Sequence, residues 1–298
     1  MLFRSLAWNL AGEISASNGV NSFSRKAIEN FPHPPEWLDQ ATHGQPTLYL
    51  GQQIADPLGL WLMEFWNRSF QHVWSLDATA PGPGYFLTPD AGPDGRLTSR
   101  AYPMGAPPGV QYIVADEGID VVGTFIEQPQ IRHVIREDAF GFPIHKVVVQ
   151  PAQWRVLRID QPLRLRSTPV GIYSDGWMGS FSAYNQFATP GDKPGYIRAT
   201  LSRSGFRGAS KAGRVTITVG RLIRGKDNQP AMGRVTKVVH WVVRSGKTRV
   251  FYLPASPPTR VEVRISPTFS PYDVGGSDRR RLGAQVSYGF SATKPPGT

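Results

Sequence analysis

The sequence predicts an α+β chain in two modules: a small α/β module with a parallel sheet, followed by an antiparallel β-sandwich of jelly-roll-like build. Three observations carry this. Apolar runs with strand and helix character alternate in the first half, as parallel sheets require. Short period-two segments fill the second half. The charge is also divided: of 33 Lys+Arg and 22 Asp+Glu in 298 residues, positions 1–165 hold 12 basic and 16 acidic side chains (net −4), and the rest hold 21 and 6 (net +15). The boundaries that follow are a linker or membrane-proximal stub over 1–29, an α/β module over 30–165, a sandwich over 166–292 and a tail over 293–298.

Pro34 and Pro35 pre-set helical φ for a short first helix, and Glu36 and Asp39 suit its positive end. Thr47–Gly51 is a short apolar strand. Asp56-Pro57 supplies a cap and a first-turn proline for a helix over 58–67, and strands follow at 72–76 and 110–116. Residues 77–109, rich in Pro and Gly, read as a long irregular connection. Asp90 and Asp94 in it lack calcium-loop spacing and are expected to form turns. Beyond residue 165, Val215/Ile217/Val219, Val261/Val263/Ile265 and Ala284/Val286/Tyr288/Phe290 alternate with polar residues, the pattern of half-buried antiparallel strands. Segments 197–201, 234–243 and 247–253 join them, and outward Arg and Lys account for most of the positive charge and blunt exposed edges.

No stretch reaches the roughly 18 to 20 apolar residues that span a bilayer. The chain therefore reads as soluble, or as a soluble piece of a membrane protein with residues 1–20 the stub of a connection. With no Cys, disulfides, thiolate metal sites and a cysteine nucleophile are excluded. P-loop, dinucleotide-binding, zinc-protease and serine-hydrolase motifs are missing, and the six histidines have no paired spacing, so neither metal nor cofactor is expected.

Three clusters carry candidate chemistry. Met63 to Phe70 holds Glu64 and Arg68 at pairing distance on a helix and an Asn67-Arg68-Ser69 sequon; its aromatics read as core. Gly171 to Ser180, followed by Tyr184-Asn185, places Tyr173, Asp175 and Trp177 at a tight Asp-Gly turn. Two readings stand side by side there: an indole platform for a sugar ring, with Asp175, Tyr184 and Asn185 meeting hydroxyls, or a hairpin whose Trp covers one end of the sandwich. Ser277 to Gly283 contains Arg279, Arg280 and Arg281, an anion grip in which Asp278 orients one arginine, or a solvated loop. Basic residues spread along strands, without a binding motif, disfavour nucleic acid.

Taken in order, Pro35-Glu36-Trp37-Leu38-Asp39, Tyr49-Leu50-Gly51, Glu64-Phe65-Trp66-Asn67-Arg68-Ser69, Ser75-Leu76-Asp77, Tyr112-Ile113-Val114-Ala115-Asp116, Pro162-Leu163-Arg164-Leu165, Asp175-Gly176-Trp177 and Ser277-Asp278-Arg279-Arg280 resemble the soluble C-terminal region of actinobacterial-type GT-C membrane glycosyltransferases that use polyprenyl-phosphate sugar donors. The resemblance implies an extracytoplasmic, non-catalytic region with a carbohydrate-binding-module-like sandwich, attached to a membrane domain of the same polypeptide. Its partner would be a glycan or lipid-linked saccharide, with anionic lipid as a further one. The family's catalytic aspartates lie between membrane helices and have no counterpart here. A soluble glycan hydrolase using Asp90, Asp94 and Asp116, and a purely structural packing module, are the alternatives.

Overall fold

The structure, a computed structural model, describes residues 31–52, 57–76, 87–116, 118–137, 143–173, 175–203, 212–226, 228–276 and 278–293. The expected 1–29 stub, the Asp56 cap, Asp77, Ser277 and the end of the tail lie outside them. The chain folds as two compact units. The first takes in Met1–Pro89, Ser99–Glu117 and Gly123–Gln161, and the second Asp90–Thr98, Gly118–Val122 and Pro162–Thr298. No helix among the described residues is long and apolar enough to cross a membrane.

The first unit contains helices α1 (Trp37–Thr42) and α2 (Pro57–Trp66) and strands β1 (Thr47–Gly51) and β2 (Phe70–Ser75). In the second unit, β3 (Asp90–Ala91) and β4 (Leu97–Thr98) form a short ribbon. Part of the stretch expected to be irregular is therefore ordered: Leu97 N–H donates to Leu163 O at 3.1 Å and Leu165 N–H to Gly95 O at 2.8 Å. Strand β5 (Tyr112–Ala115) belongs to the first unit and β6 (Asp120–Val121) to the second. Strands β7 (Gly123–Glu127), β8 (Gln130–Glu137), β9 (Pro143–Pro151) and β10 (Arg155–Ile159) complete the first unit.

β1 pairs in parallel with both β2 and β5, as the strand–helix–strand spacing predicts. The sheet is nevertheless mixed, in the order β2-β1-β5-β10-β7, because β10 returns antiparallel to β5 and then to β7. Leu48, Leu50, Ile113 and Ala115 are buried like their neighbours Tyr49 and Val114, so both faces of the central strands are covered. That is why these strands read as unbroken apolar runs. Trp37 and Leu38 of α1 and Leu60 and Met63 of α2 pack with Tyr49, Phe70, Val114 and Val156 into one core.

Asn67 fastens these pieces together. Fully buried, its side-chain oxygen accepts from Leu38 N–H (3.0 Å) and Asp39 N–H (3.1 Å), which supplies α1 with an N-terminal cap from 28 or more residues away. Its amide donates to Pro35 O and Met63 O. Asp39 reciprocates by accepting from Arg68 N–H and Ser69 N–H. Burial pushes the Asp39 carboxyl up, but hydrogen bonding from Ser69 and Arg68 outweighs it and holds the group below its ordinary value. The Asn67 sequon is thus committed to structure, with its amide nitrogen inside the fold. Glu64 and Arg68 form no ion pair among the described residues.

The second unit continues with β11 (Leu165–Ile172), β12 (Trp177–Gln186), β13 (Gly195–Arg203), β14 (Gly213–Arg224), β15 (Pro230–Val243), β16 (Lys247–Ala255), β17 (Thr259–Ser266) and β18 (Ala284–Ser291). They form a curled antiparallel sheet, β15-β14-β17-β12-β18-β13-β16, with β11 joining β12 and β6 joining β11. The curl arises at β12, whose Phe181–Gln186 pairs with β17 while its Trp177–Met178 pairs with β18. Alternate residues then meet in one core: Val215, Ile217 and Val219, Val261, Val263 and Ile265, Ile197, Ala199 and Leu201, and Leu253 and Val286.

Candidate functional site

The β11–β12 hairpin and the segment between β17 and β18 bring most of the predicted site residues together. At the hairpin, Tyr173 N–H donates to Trp177 O (2.7 Å) and Gly176 N–H to Tyr173 O (2.8 Å). Gly176 takes φ +79°, which its missing Cβ allows. Gly171, at φ +72°, sits where the β11–β12 register slips, and a Cβ there would lie 2.8 Å from Phe181 O. Asp175 accepts from Trp177 N–H at 3.4 Å.

The second segment pairs Phe269 with Leu282 through two backbone hydrogen bonds and makes a 3-10 turn over Pro271–Val274. Trp177 packs edge-on against Phe269, with ring centroids 5.7 Å apart, and both pack with Leu282. Behind Phe269 lies Arg203, whose guanidinium stands 5.5 Å from that ring and donates to Pro267 O. Burial pushes its pKa down. The indole therefore rests on a fixed floor.

Arg280 ties the two segments. It donates to both Asp175 oxygens (Nη1 3.2 Å, Nη2 2.6 Å), and its Nε and Nη2 bond Asp278. Its guanidinium lies 4.7 Å from the Tyr173 ring centre, and Arg279 stands likewise 4.8 Å from Tyr272. Hydrogen bonds from Arg280 hold the Asp175 and Asp278 carboxyls below their ordinary value, and the two aspartates raise Arg280 in turn. The result is a surface of two exposed phenol rings, Tyr173 at 40% and Tyr272 at 54%, beside a partly exposed indole and two ionised carboxylates.

The anion grip expected of the three arginines is redistributed. Asp278 does orient one of them, but Arg280 spends its N–H groups on two carboxylates, so an anion would meet Arg279 and Arg281, which are exposed. Tyr184 and Asn185 do not join the cluster. They lie seven and eight residues along β12 from Trp177, roughly 23 and 26 Å at about 3.3 Å per residue. Strand alternation turns Tyr184 into the core, stacked on Tyr288 at 5.3 Å, and burial pushes its hydroxyl up to about 12. Asn185 is fully buried, donates to Thr168 Oγ1 and accepts from Arg260 at 2.7 Å. Tyr272 and Phe269 are new members; the Pro271-Tyr272-Asp273 turn just before the arginine run was the available signal.

Asp94 is paired with Arg164, Asp90 lies in the β3–β4 ladder and Asp116 accepts from the Tyr49 hydroxyl at 3.0 Å. Among the described residues no group of His, Cys, Asp or Glu is placed to hold a metal ion. The first unit has a cavity of about 280 Å³ lined by Glu64, Phe70, His72, Trp74, Leu87 and Tyr102 among others. Burial pushes Glu64 up and His72 down, so each tends toward its neutral form there.

No family model, curated protein or solved structure matches the chain.

Proposed function

We propose that the chain is the extracytoplasmic region of a membrane glycosyltransferase and that it binds a glycan or lipid-linked saccharide acceptor without itself performing the transfer. On this reading the curled sheet is a jelly-roll-like sandwich of carbohydrate-binding-module type, and the acceptor lies across Tyr173, Trp177 and Tyr272. Aromatic rings present flat apolar faces to a sugar ring, and the two carboxylates accept from its hydroxyls. Anionic lipid is a further partner of the basic second unit, and a membrane domain of the same polypeptide precedes it.

The observation that carries the reading is the pre-organisation of this surface. Exposed aromatic rings ordinarily cost conformational entropy when a ligand fixes them. Here one arginine spans two carboxylates and lies over Tyr173, Arg279 lies over Tyr272, and Phe269 backs the indole. The residues therefore stand arranged before any ligand arrives. A glycan array probed with the full chain and with Trp177→Ala is the test: spots bound by the wild type and lost in the variant support the proposal, and an array blank for both proteins removes it.

A further inference from the structure

At another part of the second unit, the β14–β15 ladder slips twice around Gly220. Val219 lies opposite Lys237, but Gly220 lies opposite Val235 and Leu222 opposite Met232, so Thr236 is an extra residue on β15. Bulges of this kind bend a strand and re-aim its side chains, and they gather beside functional sites. Glycine is required at 220, since a Cβ there would lie 2.5 Å from Met232 Sδ and 2.8 Å from Arg234 O. The Thr236 hydroxyl donates to Val219 O at 3.2 Å, which fixes the bulge.

The opposite wall is the turn from β16 to β17. Its two prolines, Pro257 and Pro258, stiffen it, and Leu222 N–H donates to Pro258 O at 3.0 Å. Between bulge and turn lies a cavity of about 640 Å³, floored by Val219 and Ala255 and lined by Arg221, Lys237, Thr236 and Ser256. Lys237 opposes the core residue Val219, and Arg221 opposes Thr259, the neighbour-but-one of core residue Val261. Residues opposite each other in an antiparallel ladder share a face. Both cations accordingly project on the core-facing side at its open end.

No carboxylate lines this cavity, and among the described residues neither cation has an ion-pair partner. The contrast with Arg260 on the adjacent strand is informative. Arg260 is matched by Glu262 at 2.9 Å and by Asn185, as a structural arginine should be. Two cations with no ion-pair partner among the described residues, a hydroxyl and an apolar floor make a concave site of positive potential.

We infer that this cavity recognises a phosphate-bearing ligand, with Arg221 and Lys237 gripping the phosphate and Ser256 donating to it. The guanidinium fork fits two phosphate oxygens, the ammonium adds a point charge, and together they match the two negative charges of a phosphate monoester. Liquid water occupies about 30 Å³ per molecule, so the cavity has room for more than the phosphate itself, and the attached group rests on the apolar floor. The cavity shares no residue with the Tyr173–Tyr272 surface, so either site can fail its test alone.

Calorimetric titration of the full chain with glycerol 3-phosphate, with glycerate as the carboxylate counterpart, supplies the free-ligand arm. Flotation with phosphatidic acid vesicles, whose headgroup is a phosphate monoester, against phosphatidylcholine vesicles supplies the lipid arm. Arg221→Gln/Lys237→Gln is compared with Lys193→Gln/Arg214→Gln, a pair of exposed residues that removes the same charge. Loss of two charge-assisted contacts predicts roughly a 30-fold or greater weakening in the cavity variant, and less than twofold in the control. That loss in the free-ligand arm identifies a soluble phosphate ester, and in the vesicle arm a lipid headgroup. No saturable binding in either arm, equal loss in both variants, or glycerate bound as tightly as glycerol 3-phosphate overturns the inference.

Discussion

Replacing Asn67 by Ala isolates the clamp that holds α1 to the end of α2. The substitution removes four hydrogen bonds, two accepted from Leu38 and Asp39 N–H and two donated to Pro35 O and Met63 O. Met63 O keeps its bond from the residue 67 backbone N–H at 2.9 Å, so three backbone groups are left without their partner. At about 1 kcal/mol net per hydrogen bond, with the buried Leu38 donor at the upper end of that range, the cost is about 3 to 4 kcal/mol. Loss of an N-terminal cap alone accounts for about 1 kcal/mol of it. For a domain of this size each kcal/mol corresponds to roughly 2 to 4 °C, so the midpoint of the first unit falls by about 6 to 16 °C. Urea unfolding followed by tryptophan fluorescence reads this directly, because Trp37 and Trp154 stack in the affected core. A change below about 1 kcal/mol would refute the clamp.

Other outcomes follow from the ionisable groups. Asp175 and Asp278 are depressed in the folded chain relative to an ordinary value of 3.8, so their contribution is present above that pH and lost as the pH falls through the folded values. Arg280→Gln should remove this acid-side loss from thermal melts taken between pH 6 and pH 2.5. Glu64 has the opposite sign: raised by burial above 4.5, it favours the fold below that pH and loses the advantage as the pH rises through its folded value. Glu64→Gln should accordingly melt higher than wild type at pH 7 and no higher at pH 4. Tyr184→Phe deletes the hydroxyl's bonds with Gln186, at 3.3 Å, and with Ser167; it should cost about 1 to 3 kcal/mol in thermal melts and leave glycan affinity unchanged in calorimetric titration.

The strands that the sequence disclosed are those with one wet face. Val215/Ile217/Val219 and Val261/Val263/Ile265 alternate because their other side chains point to solvent, whereas β1 and β5 showed as apolar runs because both faces are covered. β15 was legible only over its last ten residues, since as an edge strand with Val235, Val238 and Val242 exposed it lacks a clean alternation. The mixed sheet was not legible: the direction in which β10 joins β5 depends on long-range pairing, to which no local pattern responds. The same limit applies at the site. Asp175, Trp177 and Arg280 were visible as turn and charge signals, and the Asp278–Arg280 contact is local. The reach of Arg280 to Asp175 spans 105 positions and appears only in the fold. Tyr184 and Asn185 followed the turn in sequence, but strand alternation assigns them to opposite, buried faces.

The central claim is that the rings of Tyr173 and Tyr272, set by Arg280 and Arg279, form a glycan-binding surface. Both are exposed, so Tyr173→Ala/Tyr272→Ala should keep its fold. Calorimetric titration of this double variant and of wild type with the best-bound array oligosaccharide is the most direct measurement. A loss of tenfold or more in affinity at unchanged melting temperature is the predicted result, and equal affinity for the two proteins would contradict the account.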